Sequence, residues 1–436
     1  MKLRRKAHKQ SRRSFLRTAS IFSVLPSLIG RGSALAPSGR ITLGFIGVGS
    51  MGFRHIKGFL QEHDCMILAV CDVDAKRREK AALEVNKAYG KRVCKQYHDF
   101  RDLIADDSID ALVISVPDHW HSIISIAGIR AGKDIYGEKP LALTIDEGKE
   151  MVKEVELYNC VWQTGTWQRS TSHFRLACEL VRNGHIGELK RVEVGIGKGH
   201  VTDPQPPMPV PPWFDYEMWL GPAPYEPYTE KRCHWNFRWI LDYSGGQVTD
   251  WGAHHIDIAQ WGMGTDETGP VEVEGKAVWP KYGLWNTAVT YRFTCRYSNG
   301  LVMEVASNDF LPQGVRWYGT EGWVRVTRRG LKISIPGLKL SEALKPEFDP
   351  GPLRLPRPPG DHRQGHRRDF LKCIAKRTQP ISSIQVSHRS TTIAHLGNIA
   401  MLCGRRIRWD PLKEEIVGDP YAARMQRRPM RAPWHL

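Results

Sequence analysis

Long apolar segments are absent from this 436-residue chain, in which no run reaches the roughly 18 residues that a membrane-spanning helix needs. We therefore expect no membrane span. The nine cysteines are scattered and include no C-x-x-C pair, so buried thiols are expected rather than a disulfide framework. With 41% hydrophobic and 25% charged residues, the composition is typical of a folded globular protein, and the length indicates two domains.

Much of the positive charge lies at the start of the chain. Residues 1–36 contain nine basic residues and no acidic one, so the formal net charge of +17 falls to +8 over residues 37–436. That remainder forms no concentrated basic cluster, which argues against a nucleic-acid partner.

The basic start is explained by an export signal. Residues 11–17, SRRSFLR, resemble a twin-arginine signal, a short apolar segment follows at 21–29, and the A-x-A sequence at 34–36 fits a cleavage site. We expect residues 1–36 to be a signal peptide and the protein to be exported to the periplasm or another extracytoplasmic compartment. A basic amphipathic start on a cytoplasmic protein is the alternative.

A glycine-rich turn follows the first predicted strand. Residues 40–46 are strand-like, residues 47–52 read GVGSMG, and the next segment has the apolar spacing of a helix. A second strand at 67–71 ends in Asp72, 20 residues after Gly52, where a ligand for a ribose hydroxyl is expected. Glycines allow the backbone to approach a pyrophosphate, and the helix N-terminus supplies N–H donors. This context predicts a dinucleotide site.

The acidic residue also bears on the choice of cofactor. A carboxylate at Asp72 repels the 2′-phosphate of NADP and so favours NAD. Lys76, Arg77 and Arg78 lie just beyond and can accept that phosphate, which leaves NADP as the alternative.

Helices and strands alternate up to about residue 160. Helices near 76–89, 100–105 and 121–131 are interleaved with strands at 111–116 and 134–136, which predicts a parallel, doubly wound sheet. Lys139 follows the last of these strands and so falls at the ligand-binding edge of such a sheet.

Residues 244–262 concentrate polar side chains at helical spacing. Asp250, His254 and Asp257 are four and three residues apart, so one helix would present them on a common face. The set can serve as an oriented acid/base pair, as half of a metal site, or as satisfied polar groups of a buried helix. The lack of further spaced ligands disfavours a metal.

These motifs together resemble the glucose–fructose oxidoreductase/inositol dehydrogenase (Gfo/Idh/MocA) family over most of residues 40–410. The matching segments are GVGSMG at 47–52, Asp72, VPDHWH at 116–121, GEKP at 137–140 and DWGAHHID at 250–257. The resemblance implies an N-terminal Rossmann domain with a doubly wound parallel sheet at 37–160. It also implies a C-terminal α/β domain with a large, open, mostly antiparallel sheet at 161–436.

The resemblance also implies roles for individual residues. The catalytic lysine, aspartate and histidine of the family correspond to Lys139, Asp250 and His254. A partly desolvated lysine can exchange protons near neutral pH, and an aspartate one turn before a histidine can fix its tautomer. The residues expected at the cofactor are Gly47, Gly49, Ser50, Met51, Gly52, Asp72, Pro117, His121, Glu138 and Lys139.

Aromatic and basic residues in the second half suggest where a sugar binds. Eight tryptophans lie between residues 162 and 261, and core packing accounts for many of them. Sugars nevertheless present C–H faces to aromatic rings, and residues 232–239 interleave two tryptophans with polar side chains. The residues expected to contact substrate are Trp167, Arg169, His234, Arg238 and His255.

The second half is also expected to form the oligomer contact. Residues 271–335 are strand-like, with a hairpin at 289–307, and helices are predicted at 362–375 and 387–403. A large sheet with one free face suits a homo-oligomer contact, which the family often makes there.

The sequence thus predicts an NAD(P)-dependent oxidoreductase that acts on a hydroxyl of a sugar, polyol or glycoside. Because no free pool of NAD exists outside the cytoplasm, we expect a tightly bound cofactor that is regenerated within the catalytic cycle. The alternatives are a redox-neutral glycosidase, lyase or epimerase that uses the same site, and a non-catalytic sugar-binding relative.

Overall fold

The computed structural model describes residues 39–436, so the predicted export signal at 1–36 lies outside the described residues. The described chain is built on two β-sheets, one of six strands and one of nine. The first sheet is parallel and the second is mostly antiparallel, which confirms the expected α/β fold class.

The six-stranded sheet has the strand order β3-β2-β1-β4-β5-β6, and every neighbouring pair is parallel. Helices cover both faces, so its central strands are apolar throughout rather than alternating. Its elements are β1 (Ile41–Ile46), α1 (Ser50–Phe59), β2 (Cys65–Cys71), α2 (Ala75–Tyr89), β3 (Lys95–Tyr97), α3 (Phe100–Ile104), β4 (Ala111–Ile114), α4 (His121–Arg130), β5 (Asp134–Gly137), α5 (Ile145–Tyr158) and β6 (Trp162–Thr164).

The Rossmann sheet extends past the boundary predicted at residue 160. Strand β6 pairs in parallel with β5 through Ile135↔Trp162 and Gly137↔Thr164. The boundary at 160 was implied by the family resemblance, and the three-residue strand β6 is too short for its own pattern to assign it to either sheet.

The nine-stranded sheet has the order β13-β12-β11-β7-β10-β9-β8-β14-β15 and is antiparallel except between β7 and β10. The predicted hairpin is present as β9 and β10, with Val302 opposite Arg296. The elements of this half are α6 (Ser172–Arg182), β7 (Leu189–Ile196), α7 (Tyr216–Leu220), α8 (Gln247–Asp250), α9 (Gly252–Met263), β8 (Glu272–Val278), β9 (Thr290–Arg296), β10 (Val302–Ser307), β11 (Gly314–Gly319), β12 (Trp323–Thr327), β13 (Gly330–Ser334), α10 (Leu340–Ala343), α11 (His362–Lys376), α12 (Ile384–Cys403), β14 (Ile407–Asp410), β15 (Glu415–Val417) and α13 (Pro420–Arg424).

One face of the large sheet packs on helices α6, α9 and α12, and alternate strand residues point into that core. On β9, Tyr291, Phe293 and Cys295 are buried, whereas Arg292 and Arg296 are exposed on the opposite face. The period-two pattern that predicted these strands therefore also assigns their faces.

Two segments from late in the chain complete the core of the Rossmann domain. Helix α11 contributes Phe370, whose ring centroid lies 5.7 Å from that of Tyr136 on β5. Further on, Trp434 packs edge-on against Trp120 at 4.7 Å. The nucleotide half is thus not an independent structural unit.

The nine cysteines are all free thiols, and seven of them are buried, as expected. In the part of the chain that the structure describes, no helix is long and apolar enough to cross a membrane. No cluster of three or more potential metal ligands occurs among residues 39–436.

The contribution of α11 to the first domain can be tested by Phe370→Ala. Removal of this fully buried ring should lower the free energy of unfolding by about 3–5 kcal/mol, because it leaves a cavity beside Tyr136. Urea denaturation would measure the loss, with the exposed Lys372→Ala on the same helix as control. A loss no larger than that of the control would contradict the assignment of α11 to this core.

Candidate active site

A single large cavity of about 590 Å³ joins the glycine-rich turn to residues of the second domain. Gly47 and Asp72 line one part of it, and Lys139, Asp250 and His254 line another. The carboxyl ends of the parallel strands therefore open onto side chains that the second sheet positions, as ligand sites of doubly wound sheets commonly do.

The glycine-rich turn can hold only glycine at two of its positions. Gly47 has φ of +79°, and a Cβ there would lie 2.6 Å from the carbonyl oxygen of Ser115. At Gly52 a Cβ would lie 2.0 Å from the carbonyl oxygen of Gly47, so the first turn of α1 packs directly on the loop. The two glycines therefore let the turn pack closely on the end of β4 and on the first turn of α1.

Asp72 ties the turn to the end of β2. The backbone N–H of Val48 donates to Oδ2 of Asp72 at 2.8 Å, and that of Asp74 donates to Oδ1 at 2.9 Å. Burial raises the pKa of Asp72, although these two hydrogen bonds and the nearby charge of Arg77 oppose the rise. Each carboxylate oxygen has further acceptor capacity for a hydroxyl group.

These features fit a dinucleotide. The glycine-rich turn lines the cavity at the N-terminus of α1, which suits a pyrophosphate, and the spare acceptors of Asp72 suit ribose hydroxyls. The cavity extends from there to the polar cluster around Lys139.

An ion pair between the two domains forms the polar cluster. Nζ of Lys139 lies 2.6 Å from Oδ1 of Asp250, and Nε of Arg238 donates to the same oxygen at 3.2 Å. Burial by itself would raise the pKa of Asp250, but the charges and hydrogen bonds of Lys139 and Arg238 hold it below its usual value. Asp250 is therefore an anion between two cations.

His254 is a neutral imidazole beside this cluster. Burial, followed by the charges of Arg328 and Lys139, holds the pKa of His254 well below its usual value. Nδ1 is buried and has no hydrogen-bond partner among the described residues. The ring is thus available to exchange a hydrogen bond or proton with a ligand in the cavity.

The expected coupling of Asp250 to His254 is not present. Helix α8 ends at Asp250 and α9 begins at Gly252, so the two residues do not lie on one continuous helix. The carboxylate of Asp250 is taken by Lys139 and Arg238 instead. The tautomer of His254 is therefore not set by Asp250, as the sequence spacing had suggested.

Most of the residues expected at the site do line the cavity. They are Gly47, Gly49, Ser50, Met51, Asp72, Pro117, Glu138, Lys139, Trp167, His234, Arg238, Asp250 and His254. Four of the eight tryptophans between 162 and 261 also line it, namely Trp167, Trp219, Trp235 and Trp251.

Arg169 is not at the cavity, which corrects its expected contact with substrate. Its guanidinium makes two hydrogen bonds to Asp257, at 2.8 and 2.9 Å, and a third to Asp266 at 2.7 Å. The Arg169 side chain is 3% exposed. It can be buried inside the second domain because the carboxylates of Asp257 and Asp266 compensate its charge. Asp257 is likewise a structural partner rather than part of the polar cluster.

His255, His121 and Gly52 also lie off the cavity. His255 is 1% exposed and packs on Trp251 at 5.5 Å, so its expected substrate contact is not present. Both ring nitrogens of His121 lie against backbone carbonyl oxygens, of Pro140 at 2.7 Å and Val116 at 2.9 Å, and are not free for a cofactor. Gly52 supports the loop from behind.

His234 lines the end of the cavity at which the nucleotide is expected. Its ring centroid lies 5.0 Å from that of Phe214. Burial, and after it the charge of Arg77, lowers the pKa of His234 to about 4. Arg77 follows β2, so His234 is placed beside the glycine-rich turn rather than beside Lys139.

The sequence did not indicate two arginines of the cavity, Arg328 and Arg363. Arg328 lies between β12 and β13, and Arg363 lies in the first turn of α11, after a proline-rich loop. No spacing rule connects these positions with residues 139–254, so only the fold brings them together.

Two family models match this chain. The oxidoreductase family model described as an NAD-binding Rossmann fold, GFO_IDH_MocA, matches residues 41–166. The model GFO_IDH_MocA_C2, described as the C-terminal alpha/beta domain of the oxidoreductase family, matches residues 196–436.

Individual proteins are similar at lower levels. Myo-inositol 2-dehydrogenase of Thermotoga maritima is 28% identical over 224 residues, 51% of this chain and 55% of that protein. A glycosyl hydrolase family 109 protein of Shewanella sp. (strain W3-18-1) is 31% identical over 157 residues, 34% of this chain and 33% of that protein. The matched regions thus span about half and a third of these relatives.

Solved structures share the fold. The WlbA dehydrogenase of Bordetella pertussis, in complex with NADH and UDP-GlcNAcA, has a TM-score of 0.63 and 17% identity, with 85% of this chain and 99% of that chain covered. A levoglucosan dehydrogenase in complex with NADH and levoglucosan has a TM-score of 0.62 and 20% identity, with 85% and 99% covered.

Because His255 is buried, the free energy of unfolding of this protein should depend on pH. Its pKa is lowered by burial from 6.5 to about 3, so the unfolded chain takes up a proton near pH 6.5 while the folded chain does not. The stability that this histidine contributes is therefore complete above pH 6.5 and is lost as the pH falls towards 3. His255→Leu should reduce the pH slope of the unfolding free energy in that window by about 1.4 kcal/mol per pH unit.

Denaturant titrations at a series of pH values would measure this slope, with the exposed His63→Leu as the control. Identical slopes for the wild type and His255→Leu would show that folding does not lower the pKa of His255.

Proposed function

The chain belongs to the Gfo/Idh/MocA oxidoreductase family and carries its NAD-binding Rossmann domain, and we propose that it oxidises or reduces a hydroxyl-bearing carbon of a sugar, polyol or glycoside. The observation that carries the proposal is the meeting of Lys139, Asp250 and His254 at one cavity with the glycine-rich turn. Relatives named for myo-inositol and levoglucosan favour a polyhydroxylated substrate.

The polar cluster supplies an acid and a base side by side. Lys139, ion-paired with Asp250, presents ammonium N–H donors to a substrate oxygen, and neutral His254 presents a proton acceptor. When bound, the nicotinamide accepts or supplies the hydride. In the oxidation, His254 takes the hydroxyl proton while Lys139 stabilises the developing negative charge on oxygen. In the reverse direction, protonated His254 returns that proton to the carbonyl oxygen while Lys139 donates a hydrogen bond to it.

Arg238 supports this role of Lys139. Because Arg238 also donates to Asp250, the carboxylate keeps a cationic partner when Lys139 turns its N–H donors towards the substrate oxygen. An Asp250 left without a charge partner in a buried site would be costly.

Lys139→Ala should reduce the rate of cofactor reduction by about 10²- to 10³-fold, the range of a lost donor to a developing oxyanion. The assay follows the absorbance of the reduced nicotinamide over a panel of sugars, polyols and glycosides. The exposed Lys153→Ala is the control. Equal rates for the wild type and Lys139→Ala on every active substrate would remove Lys139 from the mechanism.

We propose further that the cofactor is tightly held and recycled. A short segment of the second half, residues 213–215, which we call the clasp, docks on the turn after β2. The N–H of Ala75 donates to the carbonyl of Trp213 at 2.9 Å, and that of Asp215 donates to Val73 at 3.1 Å. His98 and Asp215 are also joined at 2.8 Å. The clasp thus covers the end of the cavity at which Asp72 and Arg77 lie.

The export signal proposed for residues 1–36 supplies a reason for tight binding of the cofactor. Outside the cytoplasm a released cofactor could not be recharged, so the enzyme would regenerate it by pairing two sugar substrates or by a redox-neutral sequence. The similarity to a glycosyl hydrolase family 109 protein supports the second route, in which oxidation, elimination or epimerisation, and re-reduction follow one another. Product analysis distinguishes the routes.

Purified protein should contain close to one nicotinamide per chain, measured by absorbance and mass spectrometry after denaturation. Trp213→Ala should release the cofactor on dialysis, because Lys76 stacks on this ring at 3.1 Å and helps to fix the clasp. Met208→Ala, on the exposed part of the preceding loop, should retain it. Purified wild type without nicotinamide would disprove tight binding.

A homo-oligomer is also proposed, through the face of the nine-stranded sheet that the helices leave uncovered. Aromatic and basic side chains are stacked there, with Arg316 over the ring of Trp323 at 4.8 Å and Arg191 over Tyr318 at 4.1 Å. Such side chains are enriched at protein interfaces.

A further inference from the structure

Two arginines converge on one tryptophan beside His254. The guanidinium of Arg363 lies 4.4 Å from the ring centroid of Trp167, and that of Arg328 lies 4.8 Å from it. Arg328 is also 4.2 Å from the ring of Trp251, so it is held between two indoles. The ring of Trp167 is in turn 6.5 Å from that of His254. Both arginines therefore lie at the catalytic end of the cavity.

Neither arginine has a carboxylate partner in the part of the chain that the structure describes. The acidic groups nearby are engaged elsewhere, Asp250 with Lys139 and Arg238 and Glu138 with His55 at 2.8 Å. Nε of Arg363 is buried and has no hydrogen-bond partner within residues 39–436.

Among residues 39–436, the polar contact of Arg328 is with an amide. In the orientation of the Gln168 amide that satisfies both of its ends, its oxygen accepts from Nε of Arg328 at 3.3 Å and its nitrogen donates to the carbonyl of His254 at 3.0 Å. This contact fixes Arg328 without neutralising it. Guanidinium groups commonly meet a carboxylate through paired N–H donors, and that capacity is left unused on both arginines.

The positive charges of Arg328 and Arg363 repel each other and disfavour protonation of His254. Burial, followed by the charge of Arg363, lowers the pKa of Arg328 to about 10. Both arginines contribute to the depressed pKa of His254. An anion bound between them would relieve the repulsion and make His254 a stronger base.

We propose that the substrate is a carbohydrate with an anionic substituent, which Arg328 and Arg363 bind beside Trp167 while Lys139 and His254 act on a hydroxyl of the same sugar. This inference rests on the function proposed above and specifies its substrate class. The carboxylate of a uronic acid and the sulfate of a sulfated sugar share the required chemistry.

The binding of matched sugars to the cofactor-loaded protein tests the proposal. Glucuronate is compared with glucose and galacturonate with galactose, by calorimetry or tryptophan fluorescence, and glucose 6-sulfate represents the sulfated class. At least one acid should bind about tenfold or more tightly than its neutral partner, because charge-assisted hydrogen bonds to arginine are added. The preference should weaken at high salt.

Matched variants assign the preference to residues. Arg328→Gln and Arg363→Gln should each weaken binding of the preferred acid about tenfold or more relative to binding of its neutral partner, so that the preference for the acid is lost. Arg329→Gln, an exposed neighbour on the same hairpin and outside the cavity, should change neither. Arg328→Lys, which keeps the charge over the indoles, controls for folding, together with the thermal midpoint of every variant.

The outcomes separate this inference from the proposed function. Acids that bind no better than neutral sugars, or a preference that persists in the Arg328→Gln/Arg363→Gln double variant, would overturn the inference. Suppose that neutral sugars reduce the cofactor in a Lys139-dependent way and that the arginine variants do not alter substrate choice. The proposed oxidoreductase function would then be supported, and the anion site would be refuted. If an arginine-dependent preference for the acid occurs without cofactor reduction, the anion site would be supported and the proposed oxidation or reduction would be refuted.

Discussion

The ammonium of Lys139 lies 2.6 Å from the carboxylate of Asp250, and the two residues come from different halves of the molecule. Lys139 follows the fifth strand of the parallel sheet, whereas Asp250 ends a short helix packed on the antiparallel sheet. The depressed pKa of Asp250, which its two cationic neighbours produce against the effect of burial, keeps this link ionic. This contact joins the two halves at the catalytic groups, together with the hydrogen bond that Ser244 donates to Asp118 at 2.6 Å and the docking of the clasp on the turn after β2.

Charge is distributed unevenly along the cavity. At the nucleotide end, Asp72 is held by backbone N–H groups, and its spare acceptors face a site for hydroxyls. In the middle, one carboxylate serves two cations, and at the far end two guanidinium groups rest on indole rings without any counter-ion among the described residues. A neutral histidine adjoins the positive end. Along the cavity, groups that suit hydroxyl binding are therefore followed by groups that suit proton transfer, and then by groups that suit anion binding.

Local signals predicted a large share of this arrangement. The glycine turn, Asp72 and Lys139 were found because strand–turn–helix units keep ligand contacts within a few residues of a strand end. Residue spacing misled where the fold interrupts regular structure: Asp250 and His254 were placed on one helix, but the chain changes helix at Trp251. Arg169 was assigned to substrate because a sequence does not show which basic residue will meet buried carboxylates. Arg328 and Arg363 were missed because their contacts with Trp167 join positions about 160 to 200 residues apart, for which no periodicity exists.

The packing of Phe370 and Trp434 against Tyr136 and Trp120 has a consequence for how the protein is made. Translation proceeds from the N-terminus, so strands β1 to β6 leave the ribosome well before α11 and long before residue 434. Their hydrophobic surface stays exposed until packing partners more than 200 residues further along the chain have been synthesised. Contacts between residues so far apart in sequence form slowly. The Rossmann half therefore completes its core only after Phe370 and Trp434 have been synthesised, and a transfer of that half to another protein would have to include them.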